Sequence, residues 1–157
     1  MSTVHVVLES TLPPEQVLAA ARDFSERRAD IFPAVSVKRL TVHFSGDTWA
    51  DVTEGTRAGP VVNWERCRYD WSTPGSVTAT VTASNVYALP SSWRIAATPT
   101  PEGSRVEMWW TREFVRGPRG RLFVTVFRHF GDRLFGKYAR QTLDNIERLS
   151  EAVTPIA

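Results

Sequence analysis

The residue in this sequence best placed for chemistry is an arginine set in an apolar row. Residues 105–115 alternate in the manner of a β-strand, so Met108, Trp110, Arg112 and Phe114 share one face. Burying a cation there is costly unless a carboxylate, backbone carbonyls or an anionic ligand pairs with it. The pattern therefore predicts a polar anchor for a ligand at Arg112 or, alternatively, a side chain that reaches water from the strand end.

Further charged groups could complete a catalytic site. Arg112 or Arg66 could stabilise negative charge that develops on a bound molecule while a neighbouring polar group moves a proton. The groups able to move that proton are scattered along the chain and are Asp51, Glu54, Glu65 and His129. Scattered carboxylates are mostly surface residues, so the sequence assigns no catalytic base.

The sequence does not indicate a metal or a cofactor. Cys67 is the only cysteine, which excludes an intramolecular disulfide and leaves a cysteine-based metal site unsupported. The three histidines have no ligand spacing, and there is no glycine-rich loop for a phosphate. We expect neither a metal nor a cofactor, and a reducing cytoplasm is the simplest location.

Neighbouring strands are expected to extend the face that carries Arg112. The residues of matching parity are Val77, Ala79, Val81, Ala83 and Asn85 on one strand and Trp93, Ile95 and Ala97 on the next. Small side chains opposite tryptophans leave either a cavity or an interdigitated core, and periodicity does not decide between them. The strand at 61–71 mixes apolar and charged groups on both faces, and we predict that Trp64 and Arg66 face inward.

A long C-terminal helix is the element predicted to cover this face. Apolar residues recur at intervals of three and four between about 118 and about 153, with no internal proline. The apolar stripe consists of Phe123, Phe127, Phe130, Leu134 and Tyr138 and continues to Ile146 and Leu149. Before this helix the sequence predicts a strand at 3–10, two short helices within 14–32, and strands at 35–44, 48–56, 61–71, 76–86, 92–98 and 105–115.

The charge distribution offers another kind of function. The formal charge is only +2, yet residues 112–140 carry a local excess of cations. The cations are Arg112, Arg116, Arg119, Arg121, Arg128, Arg133, Lys137 and Arg140, against Glu113 and Asp132. This face could contact an anionic membrane or RNA, or it could simply be solvated. The sequence shows neither a signal-peptide pattern nor an apolar run long enough to span a bilayer, so we expect a soluble protein without membrane insertion.

Two segments resemble parts of a known superfamily. Residues 93–99, Trp-Arg-Ile-Ala-Ala-Thr-Pro, with 103–108, Gly-Ser-Arg-Val-Glu-Met, resemble the late hairpin of the birch-pollen-allergen group. Residues 10–18, Ser-Thr-Leu-Pro-Pro-Glu-Gln-Val-Leu, resemble the strand-to-helix entry of bacterial cyclase-like proteins. Together with the long helix, these marks make nearly the whole chain resemble the START-like, or SRPBCC, superfamily of polyketide cyclases, lipid-transfer domains and pollen allergens.

The resemblance implies one α+β domain over residues 1–157 with the helix-grip fold. In that fold a curved antiparallel sheet of about seven strands surrounds the C-terminal helix, two short helices follow the first strand, and a hydrophobic cavity lies between sheet and helix. The residues then expected to bind a ligand are Trp64, Arg66, Ala79, Val81, Asn85, Trp93, Ile95, Met108, Trp110, Arg112, Phe127 and Phe130.

Three functions stay open at this point, because superfamily members range from enzymes to carriers. The first is binding of a small hydrophobic molecule, aromatic, polyketide-like or lipid-like. The second is a polyketide cyclase or dehydratase using the same cavity. The third is an interaction module using the basic helix face. We expect a small hydrophobic partner rather than a nucleic acid, and a homodimer is left open.

Overall fold

One antiparallel sheet of seven strands frames the structure, a computed structural model that describes residues 1–58 and 61–153. The strands are β1 (Ser2–Ser10), β2 (Thr41–Ser45), β3 (Trp49–Ala58), β4 (Val61–Asp70), β5 (Ser76–Ser84), β6 (Tyr87–Thr100) and β7 (Gly103–Phe114). Helices α1 (Pro14–Ala21) and α2 (Arg28–Ile31) follow β1, a 3-10 turn (Val37–Arg39) precedes β2, and α3 (Pro118–Val153) follows β7. The spatial order is β1-β7-β6-β5-β4-β3-β2. This arrangement confirms the predicted helix-grip fold.

Alternation along the later strands places their apolar side chains on the face that α3 covers. The buried residues of this face are Val77, Ala79 and Val81 on β5, Trp93, Ile95 and Ala97 on β6, and Val106, Met108, Trp110 and Arg112 on β7. The predicted facing is therefore confirmed for β6, for β7 and for Val77, Ala79 and Val81 on β5. It is not confirmed for Ala83 and Asn85, which follow a register shift between β4 and β5 and are only partly buried. The α3 helix packs on β1 and β7, where Trp110 meets Phe135 with ring centroids 4.9 Å apart, and α1 packs on β6. Neither α3 nor any other helix in the described residues is long and apolar enough to cross a membrane.

Two strand boundaries differ from the predicted ones. The segment predicted as a strand from residue 35 forms the 3-10 turn first, because Ser36 N donates to Gly55 O (3.0 Å) and Arg39 N donates to Ser36 O (2.9 Å). The break predicted near residue 90 is instead an irregularity inside β6, where pairing with β7 shifts register. Proline lacks an amide donor, and the Ser91 hydroxyl compensates by donating to Ala88 O (2.7 Å) and accepting from Glu113 N (2.9 Å).

The apolar stripe predicted for α3 is only partly the buried one. Phe130 is 57% exposed and Leu134 is 51% exposed, so the prediction that these two face the sheet is wrong. The inner row runs instead through Phe127, Gly131, Phe135, Ala139 and Leu143. The reason is a close approach at Gly131, where an added Cβ would lie 3.1 Å from Val4 Cγ2 on β1. A glycine accommodates this separation without a shift of Val4, so the side of the helix that carries Gly131 can lie close to the sheet.

The two glycines inside α3 should respond differently to the same substitution. An added Cβ at Gly136 meets nothing within 4 Å, so Gly136→Ala should raise the free energy of unfolding by about 0.5–1 kcal/mol through helix propensity alone. Gly131→Ala should gain less than that, and Gly131→Leu should destabilise by about 1–3 kcal/mol because it overpacks against β1. Urea unfolding of the three variants measures both effects. Equal stabilisation by alanine at both positions would contradict the close approach.

Candidate ligand-binding site

Two carboxylates lie opposite each other on the inner face of β3 and β4. The inward cross-strand pairs are Ala50 with Tyr69, Val52 with Cys67, and Glu54 with Glu65. Like charges directly opposite in a sheet are destabilising, and burial adds a desolvation cost to each carboxylate. This facing also corrects the prediction for the strand at 61–71, since Trp64 and Arg66 both have the opposite parity. Trp64 is exposed and reaches the cavity only at its opening.

Arg28 neutralises the first of these carboxylates. Its side chain is 1% exposed, and its Nε donates to Glu54 Oε1. The remaining donors are also used: Nη1 bonds Ala21 O and Asp23 O (both 3.1 Å) and Nη2 bonds the Tyr69 hydroxyl (3.1 Å). Although burial opposes the charge, Glu54 raises the pKa of Arg28 further above its ordinary range. Every part of this guanidinium is thus paired, which is the pattern of a structural ion pair.

Arg112 faces the second carboxylate but does not bond it closely. Arg112 Nη1 lies 3.7 Å from Glu65 Oε2, and the guanidinium carbon lies 4.3 Å from the centroid of the Tyr87 ring. Arg112 Nε, Arg112 Nη1 and Glu65 Oε2 are buried and have no hydrogen-bond partner within the described part of the chain. Because an unmade buried hydrogen bond is expensive, these atoms are suited to receive a partner that is not part of this chain.

The protonation of this pair follows from its surroundings. Burial raises the pKa of Glu65 above its ordinary 4.5, Arg112 lowers it in part, and Glu54 across the strand pair raises it again. For Arg112, burial opposes the charge, but Glu65 raises its pKa, so the guanidinium stays charged. The Glu65 carboxyl can accept a hydrogen bond in either form and can also donate one when it is protonated.

These charged groups open onto a cavity of about 140 Å³. Its apolar wall consists of Phe32, Trp93, Ile95, Met108, Trp110 and Tyr138. Its polar groups are Arg28, Glu54, Glu65, Tyr87 and Arg112. Partly exposed residues mark its opening, namely Ala34, Val35, Thr56, Asn63 and Trp64. The cavity lies between the sheet and the segment after α2, and Tyr138 is the residue of α3 that lines it. It therefore contacts a shorter part of the helix than the sequence predicts.

Half of the predicted ligand-binding residues lie on this cavity. Those that line it are Trp64, Trp93, Ile95, Met108, Trp110 and Arg112. Those that lie elsewhere are Arg66, Ala79, Val81, Asn85, Phe127 and Phe130. Ala79 and Val81 are buried in the core, and Phe127 packs against Phe114 with ring centroids 5.6 Å apart. Phe130 points away from the sheet.

Arg66 and Asn85 have structural contacts outside the cavity. Arg66 forms a two-pronged bond with Asp51 across the outer face of β3 and β4, with Nε to Oδ1 at 2.8 Å and Nη2 to Oδ2 at 2.7 Å. Asn85 ends the ladder between β4 and β5, because its side chain donates to Val62 O (2.8 Å) and accepts from Trp64 N (2.9 Å). Neither side chain is available as a ligand anchor.

Of the four possible acid–base groups, only two reach the cavity. Glu54 bonds to Arg28, Asp51 bonds to Arg66, and His129 is exposed on α3. Glu65 is therefore the group with an unbonded oxygen toward the cavity.

Two residues of the cavity, Arg28 and Tyr87, were not predicted from the sequence. Arg28 is the first residue of a four-residue helix that is too short for a regular pattern to show its burial, and Tyr87 lies in the segment predicted as a break. Among the described residues, no cluster of His, Cys, Asp or Glu is arranged to hold a metal ion.

A curved sheet that surrounds a long helix and leaves a cavity with a charged end defines a START-like protein. The chain matches the family described as polyketide cyclase / dehydrase and lipid transport over residues 1–151, and it belongs to that family. No curated protein matches it.

Similar solved structures share the fold at low identity. TTHA0849 from Thermus thermophilus has a TM-score of 0.76 at 15% identity, covering 95% of this chain and 99% of that one. The Zhui aromatase/cyclase from a Streptomyces species has a TM-score of 0.74 at 14% identity, covering 99% of both chains. A START superfamily protein from Mycobacterium smegmatis has a TM-score of 0.61 at 12% identity, covering 88% of this chain and 97% of that one.

Removal of Arg28 should destabilise the fold far more than removal of Arg66. Arg28→Met leaves Glu54 buried without its cation and should lower the free energy of unfolding by about 3–5 kcal/mol. Arg66→Met breaks a pair on the outer face and should have a much smaller effect. Urea unfolding measures both, and the double variant Arg28→Met, Glu54→Gln should recover part of the loss. Equal losses for the two single variants would contradict the structural assignment of Arg28.

Glu65 should make folding stability depend on pH in a predictable direction. Its pKa is raised in the folded state, so folding favours the protonated carboxyl. The resulting contribution to the free energy of unfolding is complete below about pH 4.5 and is lost as the pH rises through the folded-state pKa. Glu65→Gln removes this titration. The stability of Glu65→Gln relative to wild type should therefore increase with pH across that window and then level off. A difference that falls with rising pH would show that the folded pKa is lowered instead.

Proposed function

We propose that this protein binds a small, mainly apolar molecule whose one polar end carries a carbonyl or hydroxyl oxygen. The observation that carries the proposal is the pair formed by Arg112 and Glu65 at the polar end of an aromatic cavity. Its buried donors and acceptor have no partner within the described residues. A ligand oxygen in reach of both would restore hydrogen bonds that the empty protein lacks, and this supplies affinity as well as orientation.

The wall and the volume restrict the class of ligand. Two tryptophans, Trp93 and Trp110, contribute flat apolar surface, which suits an aromatic ring or another planar group. A cavity of about 140 Å³ is close to the roughly 150 Å³ of an engineered cavity known to accept benzene. One ring therefore fits inside, and a longer polyketide-like or lipid-like molecule would extend past Trp64 at the opening.

The charges favour a neutral oxygen or an enolate over a cation. Two nitrogens of Arg112 supply free donors, and Glu65 Oε2 supplies an acceptor. A cationic head group would place its charge against Arg112 and would be excluded. A carbonyl compound that becomes more negative at oxygen would be held more tightly than its neutral form.

A cyclase or dehydratase is the second candidate, because the same two groups could act on a bound ketone. Arg112 would stabilise the oxygen of an enolate, and Glu65 would take up or return the proton. The family to which the chain belongs is described by polyketide cyclases and dehydrases as well as lipid transport, and the similar Zhui structure is an aromatase/cyclase. The two functions differ in what leaves the cavity: a carrier releases its ligand unchanged, whereas a cyclase releases a ring-closed product.

Phenol and toluene form a matched pair of probes, because each has one ring and they differ in a hydroxyl and a methyl group. Wild type should bind phenol more tightly than toluene. Arg112→Met should weaken phenol binding about tenfold or more, since a hydrogen bond to a charged group is lost, and should leave toluene nearly unchanged. Titrations followed by NMR chemical shifts measure both affinities. Equal weakening of both probes would mean that the substitution damages the cavity rather than a polar anchor.

Two further variants separate the anchor from its surroundings. Glu65→Gln keeps the size of the side chain and should retain toluene binding while reducing the preference for phenol. Arg66→Met removes a neighbouring cation that lies outside the cavity and should bind both probes as wild type does. If Arg112→Met folds poorly, the combination with Glu65→Gln removes both charges together and should still show the selective loss of phenol. Failure of wild type to bind either probe would overturn the proposed function.

A further inference from the structure

The outer side of the N-terminal half of α3 carries an exposed apolar row. Leu122, Val126, Phe130 and Leu134 follow one another at intervals of four, and their exposed fractions lie between 37% and 63%. Residues four apart lie above one another on a helix, so these side chains form one continuous strip. The strip is not required for the core, because the inner row of α3 already packs on the sheet. We call these four residues the outer apolar row.

Cations adjoin the C-terminal part of the outer apolar row. Arg133 follows Phe130 by three residues and Lys137 follows Leu134 by three, so both lie beside the row on the same side of the helix, and both are exposed. The carboxylate within residues 121–140, all of which the structure describes, is Asp132. A helix that carries exposed apolar side chains beside cations has the composition of a segment that lies in a membrane interface. The charge excess attracts negatively charged lipid head groups, while the apolar side chains can enter the acyl boundary.

We propose that this half of α3 docks on the surface of an anionic lipid bilayer, with the outer apolar row inserted at the level of the head groups. Charge decides against a second copy of the chain, because two such faces would bring their cations together around the apolar contact. The four apolar side chains decide against RNA, since they would be covered neither by phosphates nor by the sugar edges, whereas lipid would cover them.

The docked end of α3 adjoins the polar end of the cavity through packed aromatic rings. Phe123 on α3 stacks on Phe114 with centroids 6.0 Å apart, Phe114 meets Tyr87 at 5.7 Å, and Arg112 lies 4.3 Å over Tyr87. Insertion of the outer apolar row would therefore place the wall near Arg112 close to the bilayer. Docking does not require an occupied cavity, so it can be tested independently of the proposed ligand.

Vesicle sedimentation of the whole protein tests the proposal. Wild type should sediment with phosphatidylcholine vesicles that contain phosphatidylserine, bind pure phosphatidylcholine much less, and be released by added salt. Phe130→Gln should weaken binding about tenfold by removing the largest inserted side chain. The double variant Arg133→Gln, Lys137→Gln should weaken binding to the anionic vesicles about twentyfold or more, at about fivefold for each cation.

Matched controls come from exposed residues elsewhere on the chain. Phe44 on β2 is 64% exposed, so Phe44→Gln removes an equally exposed ring away from α3 and should bind vesicles as wild type does. Lys38→Gln removes an exposed cation from the 3-10 turn and should also leave binding unchanged. Equal binding to both vesicle types, or wild-type binding by Phe130→Gln, would overturn the proposal.

Two other outcomes would assign the face to a different partner and would also overturn it. Sedimentation equilibrium could show a dimer without lipid that Phe130→Gln converts to a monomer, in which case the outer apolar row is a contact between two copies. Saturable binding of single-stranded RNA, lost in the Arg133→Gln, Lys137→Gln variant and accompanied by no vesicle binding, would make the cations a nucleic-acid surface.

Discussion

The pairing of Glu54 with Glu65 across β3 and β4 is the constraint on which the rest of the structure depends. Register forces both carboxylates onto the inner face of the sheet, where they repel each other and lose their hydration. Each is opposed by an arginine from a distant part of the chain. Arg28 reaches Glu54 from the helices that follow β1, and Arg112 reaches toward Glu65 from β7. The sheet must curve for the second approach, since β6 and β5 lie between β7 and β4.

The two arginines differ in how completely they are satisfied, and this difference separates stability from function. Arg28 uses its donors on Glu54, Tyr69 and two backbone carbonyls, so it ties the segment between α1 and α2 to the sheet. Arg112 is equally buried but holds two donors without partners. Under the proposed function, a ligand that bonds to these donors gains affinity from hydrogen bonds that the described residues do not supply. Both arginine–glutamate pairs line the cavity, but of the two only Arg112 and Glu65 hold polar atoms without a partner among the described residues.

The sequence predicted the inner faces of β5, β6 and β7 because each has a strict period of two. It failed on β4, where Trp64 and Arg66 alternate with Glu65 and Cys67 and neither set is apolar throughout. In that strand the facing is decided by pairing with β3, which no local pattern contains. The partner of Arg112 was equally inaccessible, since Glu65 meets it only through the curvature of the whole sheet. The cavity's aromatic wall could thus be predicted, whereas its charged end could be predicted only on the Arg112 side.

The error on α3 has a physical cause that also explains the exposed row. Periodicity predicted one apolar stripe that contains both Phe127 and Phe130, because large side chains dominate the hydrophobic signal. The buried row contains Gly131 and Ala139, which contribute little hydrophobicity but let the helix lie close to β1. With Gly131 turned toward Val4, Phe130 and Leu134 point away from the sheet. The close contact between helix and sheet and the apolar surface on the outer side therefore both follow from the same orientation of α3.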